Sequence, residues 1–160
     1  MAENRKIIAM TTDPYDNIYG YTLVFMKLFD FIQKNNQDLD VVLISNDGFC
    51  SKTINNNKFI TIKLNPKSNI FHNGVFLVAS FIKNVWAAEK NSILVVNAEI
   101  PELVSAFILK IKFKNIYCII QDLRLRDLSL KTKCFHKLRL ALIYKIGNAI
   151  FSNRYTLSQI

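Results

Sequence analysis

The sequence predicts an α/β domain: a mostly parallel sheet, doubly wound, with helices on both faces. Three observations predict it. Continuous apolar runs of strand length recur at Lys6–Thr12, Asp40–Ser45, Ser92–Val96, Asn115–Ile120 and Ala149–Ser152, as strands buried on both faces require. Segments of helical period alternate with most of them. No linker, low-complexity stretch or internal repeat interrupts the 160 residues, a length that suits one domain, 1–160, with its own core.

The first run ends in Thr-Thr-Asp-Pro, and Pro14 disfavours helix at Asp13. From Tyr21 the period changes: Tyr21, Phe25, Leu28, Phe29 and Ile32 share one helical face. Asp40–Ser45 is a buried strand closed by Asn46-Asp47-Gly48. Lys58–Leu64 alternates apolar and polar residues, the mark of a half-exposed strand at a sheet edge, and Pro66 ends it. A helix is expected over Gly74–Lys90, apolar on nearly every side as far as Trp86, and the buried strand Ser92–Val96 follows it. Pro101 suits a helical first turn, and that helix runs to about Lys112. After the strand Asn115–Ile120 comes a helix over Lys133–Ile146 with the stripe Phe135, Leu138, Leu142 and Ile146, stopped by Gly147. A short strand, Ala149–Ser152, and the start of a helix from Asn153 complete a Rossmann-like order.

Charge and composition narrow the function. The formal net charge of +9 points to an anionic partner such as phosphate groups or an acidic membrane. No nucleic-acid-binding motif accompanies it, so nucleic acid is not expected. From Lys110 onward basic residues crowd the sequence, and with Leu128, Leu130 and Leu140 they suit an anionic membrane surface. Cys50, Cys118 and Cys134 have no metal-ligand spacing and fit a reducing compartment. The segment Met1–Lys6 has no signal-peptide hydrophobic region, and no apolar stretch reaches spanning length. A cytoplasmic protein is expected, at most peripheral on the inner face of the membrane.

Chemistry is expected where the strands end, because ligands of open α/β sheets bind outside their carboxyl ends. Those ends carry Thr11, Thr12 and Asp13; Asn46 and Asp47; Asn97 and Glu99; Gln121 and Asp122; Ser152 and Asn153. Gly20 stands alone before the first helix, so neither G-x-G-x-x-G nor a Walker loop is present. A helix N-terminus near Gly20 can still receive an anionic group. His72 and His136 lie away from the strand ends and read as structural. No metal or cofactor is expected.

Four stretches together carry a resemblance. Arg5 to Gln33 resembles the first strand, loop and helix of the N-terminal domain of GT-B fold glycosyltransferases, in particular the family 4-like group. "SILVVNAEIPELVSAFIL" resembles the strand that there ends in a histidine, here Asn97. "IYCIIQDLRLRD" resembles the strand that there ends in His-Asp, here Gln121-Asp122. "GNAIFSNRYTLSQI" resembles the strand ending in a serine before a helix. The resemblance spans essentially the whole chain. It implies the acceptor-side half of an enzyme that moves a sugar from a nucleotide-sugar to a lipid-linked or polysaccharide acceptor. The donor would be held by a C-terminal domain that is missing or separate, so the chain alone would turn over little. In this reading Asp122 is catalytic, and Thr12, Asp13, Tyr19, Gly20, Asn97, Glu99, Gln121, Arg124 and Arg126 bind the acceptor.

The alternative is a non-catalytic Rossmann-like module that binds a phosphorylated ligand or a protein partner. The nearly all-apolar helix ending at Trp86 would then need cover. A receiver-like domain fits less well, since Asp13 alone is no acidic cluster.

Overall fold

The computed structural model describes residues 6–14, 21–35, 40–47, 59–120, 130–147 and 149–151. Their elements run β1 (Lys6–Pro14), α1 (Tyr21–Asn35), β2 (Asp40–Asn46), β3 (Phe59–Ile62), α2 (Ile70–Trp86), β4 (Ile93–Asn97), α3 (Ile100–Leu109), β5 (Asn115–Ile120), α4 (Leu130–Ile146) and β6 (Ala149–Phe151). The strands form one six-stranded sheet in the order β3-β2-β1-β4-β5-β6, and every pairing is parallel. The strand over 59–62 takes the sheet edge that its alternating pattern predicts.

Strand periodicity sorts the core into two layers. Ile7 and Ala9 of β1, Val41 and Leu43 of β2, Val95 and Ile119 pack with Phe25 and Phe29 of α1. Ile8, Met10, Ile44, Leu94, Val96, Cys118 and Ile120 point the other way, towards α2, α3 and α4. The two faces follow from direction. The chain moves outward from β1 to β2, then returns across β1 to β4, β5 and β6. Right-handed crossovers place the helices of the two directions on opposite faces. The result is the doubly wound, Rossmann-like fold that the sequence predicts.

Two helices differ from expectation in instructive ways. α2 starts four residues before Gly74, because Asn69 caps it: the Asn69 Oδ1 accepts from the His72 backbone N–H at 2.8 Å. It ends at Trp86 rather than Lys90, where the Lys112 ammonium donates to the Trp86 carbonyl. Its buried stripe is Leu77, Phe81 and Val85, each side chain stabilising the fold by about 1.5–3 kcal/mol. In α4 the expected stripe holds only in its second half. Ile146 is buried and Leu142 packs against the core, but Phe135 and Leu138 are exposed, and Ile143 is buried in addition. Apolar residues lie all round this helix, so periodicity does not single out the inner side.

Lysines close two helix ends. Lys110 Nζ donates to the Lys145 carbonyl of α4 at 2.5 Å, and Lys112 does the same for α2. Cations there satisfy orphan carbonyls and complement the helix dipole. Gly147, just past α4, has φ +93° and donates its N–H to the Ile143 carbonyl at 3.0 Å. A side chain in that left-handed conformation costs about 1–2 kcal/mol. Gly74 lies within α2, and a Cβ added there would meet no neighbouring atom within 4 Å. Chemical denaturation should therefore separate the two glycines. Gly147→Ala is expected to lose about 1–2 kcal/mol, and Gly74→Ala to gain about 0.5–1 kcal/mol.

Candidate functional site

β1 and β4 are neighbours in space but are separated in sequence by four elements, so the strand order reverses between them. In this architecture the ligand crevice opens at that reversal, outside the carboxyl ends. The backbone there is irregular. Met10 pairs with Ile44, but the next β1 residue in register with β2 is Pro14, opposite Asn46. The segment between them bulges out of the ladder, and bulges commonly re-aim side chains beside functional sites.

Side chains take over the backbone bonds the bulge gives up. The Thr12 N–H donates to the Glu102 carboxyl of α3. The Thr12 carbonyl accepts from the Asn46 side-chain amide at the end of β2. The Asp13 N–H donates to Thr11 Oγ1 at 3.0 Å. Asn97, at the end of β4, donates from Nδ2 to Thr11 Oγ1 at 3.2 Å and accepts the Glu99 N–H on Oδ1 at 2.6 Å. Arg139 of α4 closes the set. Its Nε donates to the Ala98 carbonyl at 2.5 Å, and a terminal nitrogen meets Glu99 Oε1 at 3.0 Å.

Of the residues expected to bind an acceptor, Thr12, Asp13, Asn97 and Glu99 come together here. Their roles differ. Asn97 is fully buried, and both ends of its amide are engaged, so it positions its neighbours. Thr12 is half-buried and bonded through its backbone. Glu99 keeps 44% of its side chain exposed while Arg139 orients it, which leaves a carboxylate edge open to a ligand. Asp47 is structural: its Oδ1 accepts the Leu64 N–H at 3.1 Å and ties the end of β3 to β2. Tyr19, Gly20, Gln121, Asp122, Arg124 and Arg126 lie outside the described residues.

No protein-family model, curated protein or solved structure matches this chain.

Glu102 and Arg139 are the site residues that the sequence reading missed. Glu102 is fully buried, and its Oε2 has no hydrogen-bond partner. Burial pushes its carboxyl up to about 8, against the opposing hydrogen bonds from Thr12. A signal was available: an acid three places after Glu99, in the first turn of a helix that follows a buried strand, sits beside the predicted crevice. Beneath it, burial pushes the Cys118 thiol up to about 12, with the Glu102 charge adding to the effect, so Cys118 is an inert core residue. Among the described residues, no three His, Cys, Asp or Glu side chains gather as metal ligands would.

The Glu102 shift has a definite consequence for stability. The folded state holds this proton more tightly than the unfolded chain, whose carboxyl titrates near 4.5. Stability from this group is therefore complete below about pH 4.5 and is lost as pH rises towards 8. Unfolding free energy should fall by up to about 1.4 kcal/mol per pH unit across that window. Denaturation of Glu102→Gln, which cannot titrate, should lack this component of the slope.

Proposed function

We propose that the chain is the acceptor-side domain of a glycosyltransferase. A second domain or subunit would hold the nucleotide-sugar, and the acceptor would be lipid-linked or polysaccharide. The domain would work in the cytoplasm, peripheral on the inner face of the membrane. The observation that carries this reading is the convergence of Thr12, Asp13, Asn97 and Glu99 on the one place where the strand order reverses. The chemistry exposed there suits hydroxyl groups: a half-exposed carboxylate on a floor of amides and hydroxyls, held rigid by hydrogen bonds.

The proposed reaction needs three things from this half. The acceptor hydroxyl must be aimed at the anomeric carbon of the donor sugar. Its proton must pass to a base as the new C–O bond forms and the bond to the nucleotide phosphate breaks. Phosphate on the acceptor must meet positive charge. Glu99, oriented by Arg139, serves as the hydroxyl acceptor within the described residues. Asp122 remains the proposed catalytic group, with Gln121 beside it, and Arg124 and Arg126 the proposed phosphate contacts. Tyr19 and Gly20 remain proposed acceptor contacts.

A second reading has its own support. Most polar side chains of the crevice are spent on one another and on the β1 backbone, which suits a non-catalytic module that binds a phosphorylated ligand or a protein.

Thermal melting tests the acceptor-side reading. Polyprenyl phosphate in detergent micelles, measured against micelles alone, should raise Tm by mass action. Glu99→Gln and Arg124→Ala with Arg126→Ala should each diminish that rise while leaving the unliganded melt within a few degrees. No rise with polyprenyl phosphate, or a rise that all three substitutions leave intact, would count against the acceptor-side reading.

A further inference from the structure

The outer surface of the α2–α3–α4 layer is unlike the rest of the molecule. On α2, Phe71, Val75, Phe76 and Trp86 are exposed on the side away from the buried stripe, and Ile70 at its first turn is 92% exposed. On α3, Phe107 and Ile108 are exposed, and Ile111 follows at 85%. Leu138 and Tyr144 continue the surface on α4, where Leu140 and Tyr144 also line a shallow, open depression. Soluble domains seldom leave this much apolar surface uncovered without a use for it.

The charge around these residues indicates what covers them. Residues 70–86, 100–112 and 130–147 contain one acid, Glu102, and it is buried. The same segments contain Lys83, Lys110, Lys112, Lys131, Lys133, Lys137, Arg139 and Lys145. Some of these are occupied: Lys110 and Lys112 cap helix ends and Arg139 holds Glu99. Lys83, Lys137 and Lys145 are exposed beside the aromatic and aliphatic side chains. Protein interfaces are depleted in lysine. Lysines among exposed Phe, Trp, Tyr and Leu suit a lipid surface, where their stems lie along the apolar region and their ammonium groups reach the headgroups.

We propose that the outer face of α2, α3 and α4 docks on an anionic phospholipid surface, with Phe71, Val75, Phe107 and Ile111 in the interfacial region and Lys83, Lys137 and Lys145 at the headgroups. This gives the membrane placement proposed above a definite surface. It rests on the exposed residues alone, so it stands or falls separately from the sugar chemistry.

The test uses the whole chain and vesicles free of any glycosyl acceptor. Co-sedimentation should show binding to phosphatidylglycerol–phosphatidylcholine vesicles that weakens with salt, and at least roughly tenfold weaker binding to phosphatidylcholine alone. Trp86, the single tryptophan, reports the face: its emission should shift to the blue on anionic vesicles. Phe71→Ser with Phe107→Ser, and separately Lys137→Glu with Lys145→Glu, should each cut binding by roughly tenfold or more. All four positions are exposed, and far-ultraviolet dichroism checks that the variants fold. Equal binding to neutral vesicles, no binding to either, or binding with no change in Trp86 emission would overturn the proposal. So would a dimer in sedimentation velocity that Phe107→Ser dissolves, since the face would then belong to a second copy.

Discussion

The end of β1 must leave the sheet without leaving its backbone unbonded, and the upper half of the molecule is arranged around that requirement. A buried N–H or carbonyl without a partner costs as much as a lost hydrogen bond. Between Met10 and Pro14 the ladder to β2 lapses. Three side chains from three places restore the missing bonds: Asn46 from β2, Thr11 from β1 itself and Glu102 from α3. Asn97 then steadies Thr11, and Glu99 and Arg139 extend the bonded chain to α4. Five elements meet in one hydrogen-bonded set, at the point where the strand order reverses.

This arrangement explains why an acid is tolerated in the core. Desolvation dominates the Glu102 carboxyl, and the Thr12 bonds recover part of the loss. Below about pH 8 the carboxyl keeps its proton, so no buried charge has to be held while the group accepts the Thr12 N–H. A titratable group perturbed in this way beside the strand ends is of the kind that accompanies a crevice.

Much of the fold was legible in the sequence, for a physical reason. Strands buried on both faces need continuous apolar runs, and the runs at 6–12, 40–45 and 115–120 lie in the sheet, as does that at 92–96 from Ile93 onward. Gly147 ends its helix because a positive φ favours glycine. The helix surfaces were harder to read. α2 and α4 are apolar on more than one side, so the pattern that locates a strand does not say which side of a helix faces the sheet. Leu138 and Ile143 differ in burial but not in chemistry. The site was legible only in part. Thr12, Asp13, Asn97 and Glu99 were picked out as strand-end residues, and the structure brings them together at the reversal. Glu102 escaped because a helical glutamate normally faces water, and its burial depends on a bulge 90 residues earlier. Arg139 escaped because it stands in a basic stretch of sequence, and its neighbours Lys137 and Lys145 are exposed.

The two unusual regions of the molecule occupy different sides of it, and that separation follows from topology. In a doubly wound domain the crevice opens along the carboxyl ends of the strands, whereas a helix layer covers a face of the sheet. The Arg139 side chain reaches from the layer to the crevice through the Ala98 carbonyl and Glu99. A domain resting on α2, α3 and α4 would thus keep its strand ends to the side, open to a ligand presented near the headgroups. The opposite face has a different character. α1 exposes Met26 and Phe31 as well, but beside them it presents Asp30 together with Lys27 and Lys34, a mixed-charge surface. An anionic bilayer would therefore discriminate between the two faces by charge. The fold places that discrimination beside the crevice without blocking it.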